Sequence, residues 1–115
     1  MEQICDKYIF YNEVKFVFNN VKGIVVDAGH GGSDPGASGN GIVEKEYNLK
    51  IANYIYNRLK ELGLPVYITR STDVTLNPTD RVNKVLSAFG NNENVIVLSN
   101  HLNAGGGDSH CVTNV

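Results

Sequence analysis

The chain has 115 residues, 42% of them apolar, a formal net charge of −2 and no block of lysine or arginine. That length accommodates one domain at most, the apolar share is that of an ordinary packed core, and the lack of a basic face argues against a nucleic-acid partner. No apolar run approaches the ~20 residues of a membrane-spanning helix.

The first residues, Met1 to Lys7, lack the basic start and apolar stretch of a secretory signal. Cys5 and Cys111 lie near opposite ends and are read as unrelated reduced thiols, since two cysteines make no disulfide framework. Residues 4–20 are aromatic and β-branched around Asn12-Glu13, and predict a loose hairpin. Residues 1–22 are therefore read as an N-terminal extension without evident chemistry.

Ile24–Asp27 predicts a buried strand, followed by an irregular loop over residues 29–41 with glycine at six positions. Asp34-Pro35-Gly36 within it is a turn signal. A helix is predicted from Glu44, because Ala52, Ile55, Leu59 and Leu62 recur at helical spacing and Gly63 supplies a stop. Leu64–Thr69 predicts a second strand. Asn77 and Pro78 read as the N-cap and first position of a second helix, with Val82, Val85, Leu86 and Phe89 as its apolar face and Gly90 as its end. Val95–Leu98 predicts a third buried strand, running into Asn100 and His101.

Strand, helix, strand, helix, strand implies a parallel sheet with right-handed crossovers. Connectivity then makes a geometric argument. His30 follows the first strand and His101 follows the third, so both lie at the carboxyl edge of the sheet. Glu44 opens the first crossover helix and belongs to the same edge. Two imidazoles and one carboxylate, with a position left for water, are the donor set of a catalytic zinc site. Their meeting requires the first and third strands to be near neighbours, which the sequence leaves open.

Each residue also has a plainer assignment: His30 as a surface histidine, His101 as a polar strand cap, Glu44 as a solvated acid complementing the helix dipole. Glu46 is a rival ligand, but two helical steps turn it elsewhere. His110 lies in a segment without pattern. Asp27 is either a hydrogen-bond partner that orients His30 or a polar residue at a strand end. Gly29-His30-Gly31-Gly32-Ser33-Asp34 is a poor phosphate cradle, because Asp34 would repel the ligand and no Gly-Lys-Ser/Thr follows.

Four segments together carry a family likeness. They are Val26-Asp27-Ala28-Gly29-His30-Gly31-Gly32-Ser33-Asp34-Pro35-Gly36-Ala37, Glu44-Lys45-Glu46-Tyr47-Asn48-Leu49, Ile68-Thr69-Arg70, and Ser99-Asn100-His101-Leu102-Asn103-Ala104. In this order and spacing they resemble the zinc-dependent N-acetylmuramoyl-L-alanine amidases of the Amidase_3 type, over roughly residues 23–107.

The resemblance implies a three-layer α/β/α fold with a mostly parallel sheet. It implies Zn2+ held by His30, Glu44 and His101, and hydrolysis of the amide between N-acetylmuramic acid and L-alanine in peptidoglycan, at the cell wall. The partner is then a muropeptide, and the chain is expected to be monomeric. Arg70 and Arg81 match family arginines and are given structural or loop-anchoring roles.

The likeness ends at Gly107-Asp108. The family continues to further strands and to a glutamate that serves as general acid/base, expected beyond Val115. Residues 23–115 are thus read as the N-terminal part of the catalytic domain, its sheet incomplete on the C-terminal side. The alternative function is an inactive remnant that at most binds zinc or muropeptide. An unprotected sheet edge predicts marginal stability.

Overall fold

The computed structural model describes residues 20–102. Cys5, Cys111, His110 and all but the last residue of the predicted hairpin lie outside them.

The first strand, β1 (Gly23–Ala28), is buried along its whole length. Ile24, Val25 and Val26 are all at most 1% exposed, and each contributes about 2 kcal/mol by leaving water. A strand apolar on both faces needs covering on both sides and pairing at both edges. Both neighbours are parallel strands, in the order β4 (Val66–Ile68), β1, β5 (Val95–Asn100). Ile24 stands opposite Val66 and Ile96, and Val26 opposite Ile68 and Leu98. The first and third long strands are therefore direct neighbours, as convergence of His30 and His101 requires.

The glycine-rich segment holds more order than its composition predicts. Ser38–Gly39 (β2) pairs antiparallel with Ile42–Val43 (β3). Asn40 and Gly41 between them both have positive φ, 53° and 78°. Asn-Gly with that geometry is the turn that suits a two-residue hairpin, a signal present in the sequence.

Helix α1 spans Glu44–Glu61. Its N-cap, Val43, offers no side-chain bond. The free amides of the first turn are met by the loop instead: Glu44 donates to the Ala37 carbonyl at 2.8 Å and Lys45 to the Pro35 carbonyl at 3.0 Å. The helix closes with Gly63 donating to Lys60 at 2.9 Å and Leu64 to Leu59 at 3.1 Å, with Gly63 at φ 80°. That pair of bonds is a Schellman ending. Ala52 and Leu59 of the predicted stripe are buried, whereas Leu62 at the C-cap is 55% exposed.

Helix α2 spans Pro78–Ala88, with Asn77 as the predicted cap accepting from the Asp80 amide at 2.8 Å. The strand order fixes the layers. The chain moves from β1 outward to β4 through α1, then back across β1 to β5 through α2. Two right-handed crossovers in opposite directions put the helices on opposite faces. Side-chain alternation agrees. Gly23 approaches Phe89 and Asp27 reaches Arg81, both on the α2 side.

Two burial expectations are corrected. The strand predicted as buried at Val95–Leu98 is half-exposed, with Val97 46% open. Among the described residues β5 pairs on one edge only, so its apolar sequence does not make it a central strand. The face predicted for α2 is likewise partly open, with Val82 54% and Leu86 43% exposed. The described strands form too narrow a platform to cover the whole stripe. Among the described residues no helix is long and apolar enough to cross a membrane.

Candidate metal centre

His30 is the second residue after β1 and has φ 60°, a left-handed backbone that non-glycine residues seldom adopt. The turn around it is tied down on both sides. Gly31 and Asp34 exchange backbone bonds of 2.8 and 3.0 Å. One Asp34 carboxylate oxygen accepts from the Gly36 amide at 3.2 Å and the other from His30 Nδ1 at 2.8 Å. These bonds, the His30 bond foremost, hold the Asp34 carboxyl below the ordinary aspartate range. An ionised carboxylate only accepts, so His30 carries a proton on Nδ1 and turns Nε2 inward.

Two arginines clamp the start of the loop by its carbonyls. Arg70 donates to Ala28 at 3.1 Å and to Gly29 at 2.8 Å. Arg81 donates to Ala28 at 2.7 Å and to His30 at 2.9 Å. Both therefore have the anchoring role expected of them. Asp27 does not orient His30. Its carboxylate accepts from Thr69 Oγ1 at 2.7 Å, Ser99 Oγ at 2.7 Å and Arg81 at 2.6 Å. Asp27, Thr69 and Ser99 are register neighbours on one sheet face. Burial alone would raise the Asp27 pKa, but the two hydroxyls and the guanidinium outweigh it and hold the value below the usual range. The polar residue at a strand end is the assignment that stands, and the partner of His30 is Asp34.

Glu44 is the first residue of α1 and is only 4% exposed. Oε1 accepts from the Ala37 amide at 2.9 Å. Oε2 accepts from the Leu102 amide at 3.1 Å and Asn48 Nδ2 at 3.3 Å. Burial would raise its pKa, but the donors from Ala37, Asn48, Leu102 and His101 bring it down to about 2. The acid is thus neither solvated nor a mere complement to the helix dipole. Glu46 is exposed and stands apart from the group.

His30, Glu44 and His101 come together. His30 Nε2 and His101 Nδ1 each lie 3.1 Å from Glu44 Oε2, the rings meet edge to face at 4.9 Å, and one donor atom from each residue falls within a 4.8 Å span. Two glycines make room. A Cβ on Gly36, at φ 71°, would stand 2.7 Å from both Glu44 Oε1 and His30 Cδ2, and a Cβ on Gly29 would collide with the His101 ring. The His101 side chain is half exposed, so the cluster opens to solvent on that side.

The donor chemistry fits a metal ion. With Nδ1 donating to Asp34, His30 presents Nε2 to the Glu44 carboxylate at 3.1 Å, where either a metal ion or a ring proton would stand between them. Ligand atoms about 2.0–2.1 Å from a tetrahedral zinc stand about 3.3 Å apart, close to the two 3.1 Å separations here. The sequence reasoning missed Asp34 and Asn48 as supports. In the sequence Asp34 reads as part of a turn and as an obstacle to a phosphate, and Asn48, one helical turn after Glu44, continues the buried stripe of Ala52 and Leu59.

Fold and cluster together define an α/β protein with a three-donor group, suited to a metal ion, at the carboxyl edge of a parallel sheet. The chain belongs to the N-acetylmuramoyl-L-alanine amidase family (Amidase_3), which it matches over residues 24–113. It is 42% identical over 81 residues to the N-acetylmuramoyl-L-alanine amidase LytC of Bacillus subtilis, covering 70% of this chain and 16% of LytC. Among solved structures it resembles the catalytic domain of the amidase CwlV from Bacillus (Paenibacillus) polymyxa, with TM-score 0.65, 36% identity, and coverage of 75% of this chain and 48% of that one. The N-acetylmuramoyl-L-alanine amidase of Clostridium difficile 630 aligns with TM-score 0.67 and 28% identity, over 77% of this chain and 47% of that one. The chain thus spans less than half the length of each of these relatives.

Proposed function

We propose that His30, Glu44 and His101 hold Zn2+ in a centre that serves hydrolysis of the amide between N-acetylmuramic acid and L-alanine in peptidoglycan, at the cell wall. The observation that carries this is the meeting of two imidazole nitrogens and a carboxylate oxygen within 4.8 Å, in a chain of the amidase family. When bound, zinc supplies Lewis acidity that lowers the pKa of water and polarises an amide carbonyl.

The chain's own residues prepare that chemistry. Asp34 holds a proton on His30 Nδ1, which keeps Nε2 free as a donor. Ala37, Asn48 and Leu102 hold the Glu44 carboxylate ionised and fixed. Gly36 and Gly29 leave room for the His30, Glu44 and His101 side chains to close on one another. Residues 23–115 act in this scheme as the N-terminal part of a catalytic domain, functioning as a monomer on a muropeptide.

A second function, binding of zinc and muropeptide without turnover, is favoured by one observation. Among the described residues no spare carboxylate stands at the cluster to move a proton, since Asp34 is committed to His30 and Gly36. One experiment separates the two. Zinc is titrated into the metal-free protein and into His30→Ala, and purified cell wall is then assayed for newly exposed L-alanine amino groups. Zinc binding lost in His30→Ala supports the centre; sustained zinc-dependent release supports the hydrolase, and binding without release supports the second function. Zinc affinity untouched by His30→Ala refutes the ligand set.

A further inference from the structure

We propose that Asn48 is the positioning residue that sets the spacing of the three donors. The proposal rests on the metal-binding role assigned above to His30, Glu44 and His101.

Asn48 is fully buried, with 0% exposure. It lies one turn after Glu44 on α1, so its side chain stands directly beside that carboxylate. Both amide hydrogens of Asn48 are used. Nδ2 donates to Glu44 Oε2 at 3.3 Å and to the Gly29 carbonyl at 3.2 Å. Its Oδ1 accepts from Asn100 Nδ2 at 3.4 Å. Gly29 immediately precedes His30, and Asn100 immediately precedes His101. One side chain therefore touches the carboxylate donor itself and the residue before each imidazole donor, on three different elements.

The orientation of the amide is forced. Turned over, Oδ1 would face the Glu44 carboxylate and the Gly29 carbonyl, and Nδ2 would face the Asn100 amide hydrogens. A small apolar residue at 48 would extend the buried stripe of Ala52 and Leu59 without the cost of burying an amide. The amide instead couples the end of β1, the start of α1 and the end of β5. Its neighbours have other supports for the fold: Arg70 also holds the Gly29 carbonyl, and Ala37 and Leu102 also hold Glu44. Loss of Asn48 should therefore show in the spacing of the donors more than in the integrity of the sheet.

The test uses the 115-residue chain with Asn48→Asp and Asn48→Leu. Zinc affinity is measured by competition with a chelator, the visible spectrum is recorded after loading Co2+, and thermal melts are run without metal. The expected result is a loss of about 10–100-fold in zinc affinity with an altered Co2+ spectrum, in variants whose metal-free melts stay cooperative. Folded variants with unchanged affinity and spectrum would overturn the proposal. If neither Asn48 variant folds, Asn100→Ala decides: weaker zinc binding with an altered Co2+ spectrum supports the proposal, and unchanged binding or loss of folding overturns it in favour of a purely structural asparagine pair. Failure of the unmodified chain to bind zinc or Co2+ overturns the metal centre itself, and the proposal with it.

Discussion

Replacing Arg81 with alanine removes the guanidinium that joins α2 to the centre of the sheet. Three hydrogen bonds go with it, to Asp27 Oδ1, the Ala28 carbonyl and the His30 carbonyl. Removing one partner of a buried ion pair costs about 3–5 kcal/mol. Here Asp27 is 4% exposed but keeps the hydroxyls of Thr69 and Ser99, and Arg81 is itself 17% exposed. The low end applies, about 3 kcal/mol. In a domain holding roughly 5–15 kcal/mol in all, this lowers the melting temperature by about 12–24 °C.

The effect carries a pH signature. The folded pKa of Asp27 lies below its unfolded value of about 3.9, so its ionised form stabilises the fold above that value. The stabilisation is lost as pH falls through the lower, folded pKa. The penalty of Arg81→Ala is therefore full at pH 7 and shrinks in acid. Urea denaturation of both proteins from pH 7 to pH 2.5 (~one point per half unit) measures it. A penalty below about 1 kcal/mol at neutral pH, or one that does not fall in acid, would refute the assignment of Asp27 and Arg81 as a coupled pair.

Two further substitutions probe the site and the helix face. Gly36→Ala forces a side chain to a positive φ and against Glu44 and His30; a loss of more than about 1 kcal/mol in a thermal melt and weaker zinc binding are expected, and wild-type behaviour in both would contradict the crowding. Leu86→Gln, on the open part of α2, should change stability by no more than about 0.5 kcal/mol; a large loss in a urea titration would mean that this face is covered.

The donors were legible because each stands at a punctuation mark of the chain. His30 follows an apolar run and enters a glycine turn, His101 follows another, and Glu44 opens a helix. Alternation of strand and helix then puts all three on one edge. Strand order is another matter: nothing in Val95-Ile96-Val97-Leu98 says that it pairs beside β1 or that one of its edges lies open among the described residues. Burial depends on neighbours, and Val97 and Val25 are the same residue type in opposite environments. The supporting shell was hidden for a different reason. Asp34 and Asn48 serve through contacts that turn on a left-handed His30 and on side-chain alignment across elements, and local pattern reports neither. For Asp27 the sequence leaves two assignments open, a partner of His30 or a polar residue at a strand end, and cannot choose between them, since a register neighbour cannot be known before the register.

The row Asp27, Thr69 and Ser99 has one more consequence. The rest of the β1–β5 seam matches Ile24 with Ile96, Val25 with Val97 and Val26 with Leu98, a ladder of near-interchangeable aliphatic rungs. A slide of two residues would preserve every inward and outward choice and most of the apolar contact. It would also carry His101 about 6.6 Å along the sheet, away from Glu44. The serine hydroxyl opposite a buried carboxylate is what tells one rung from another. The acid at the end of β1 thus works as an index mark for the seam, and the distance between two histidines 71 positions apart is calibrated by a hydrogen bond that neither of them makes.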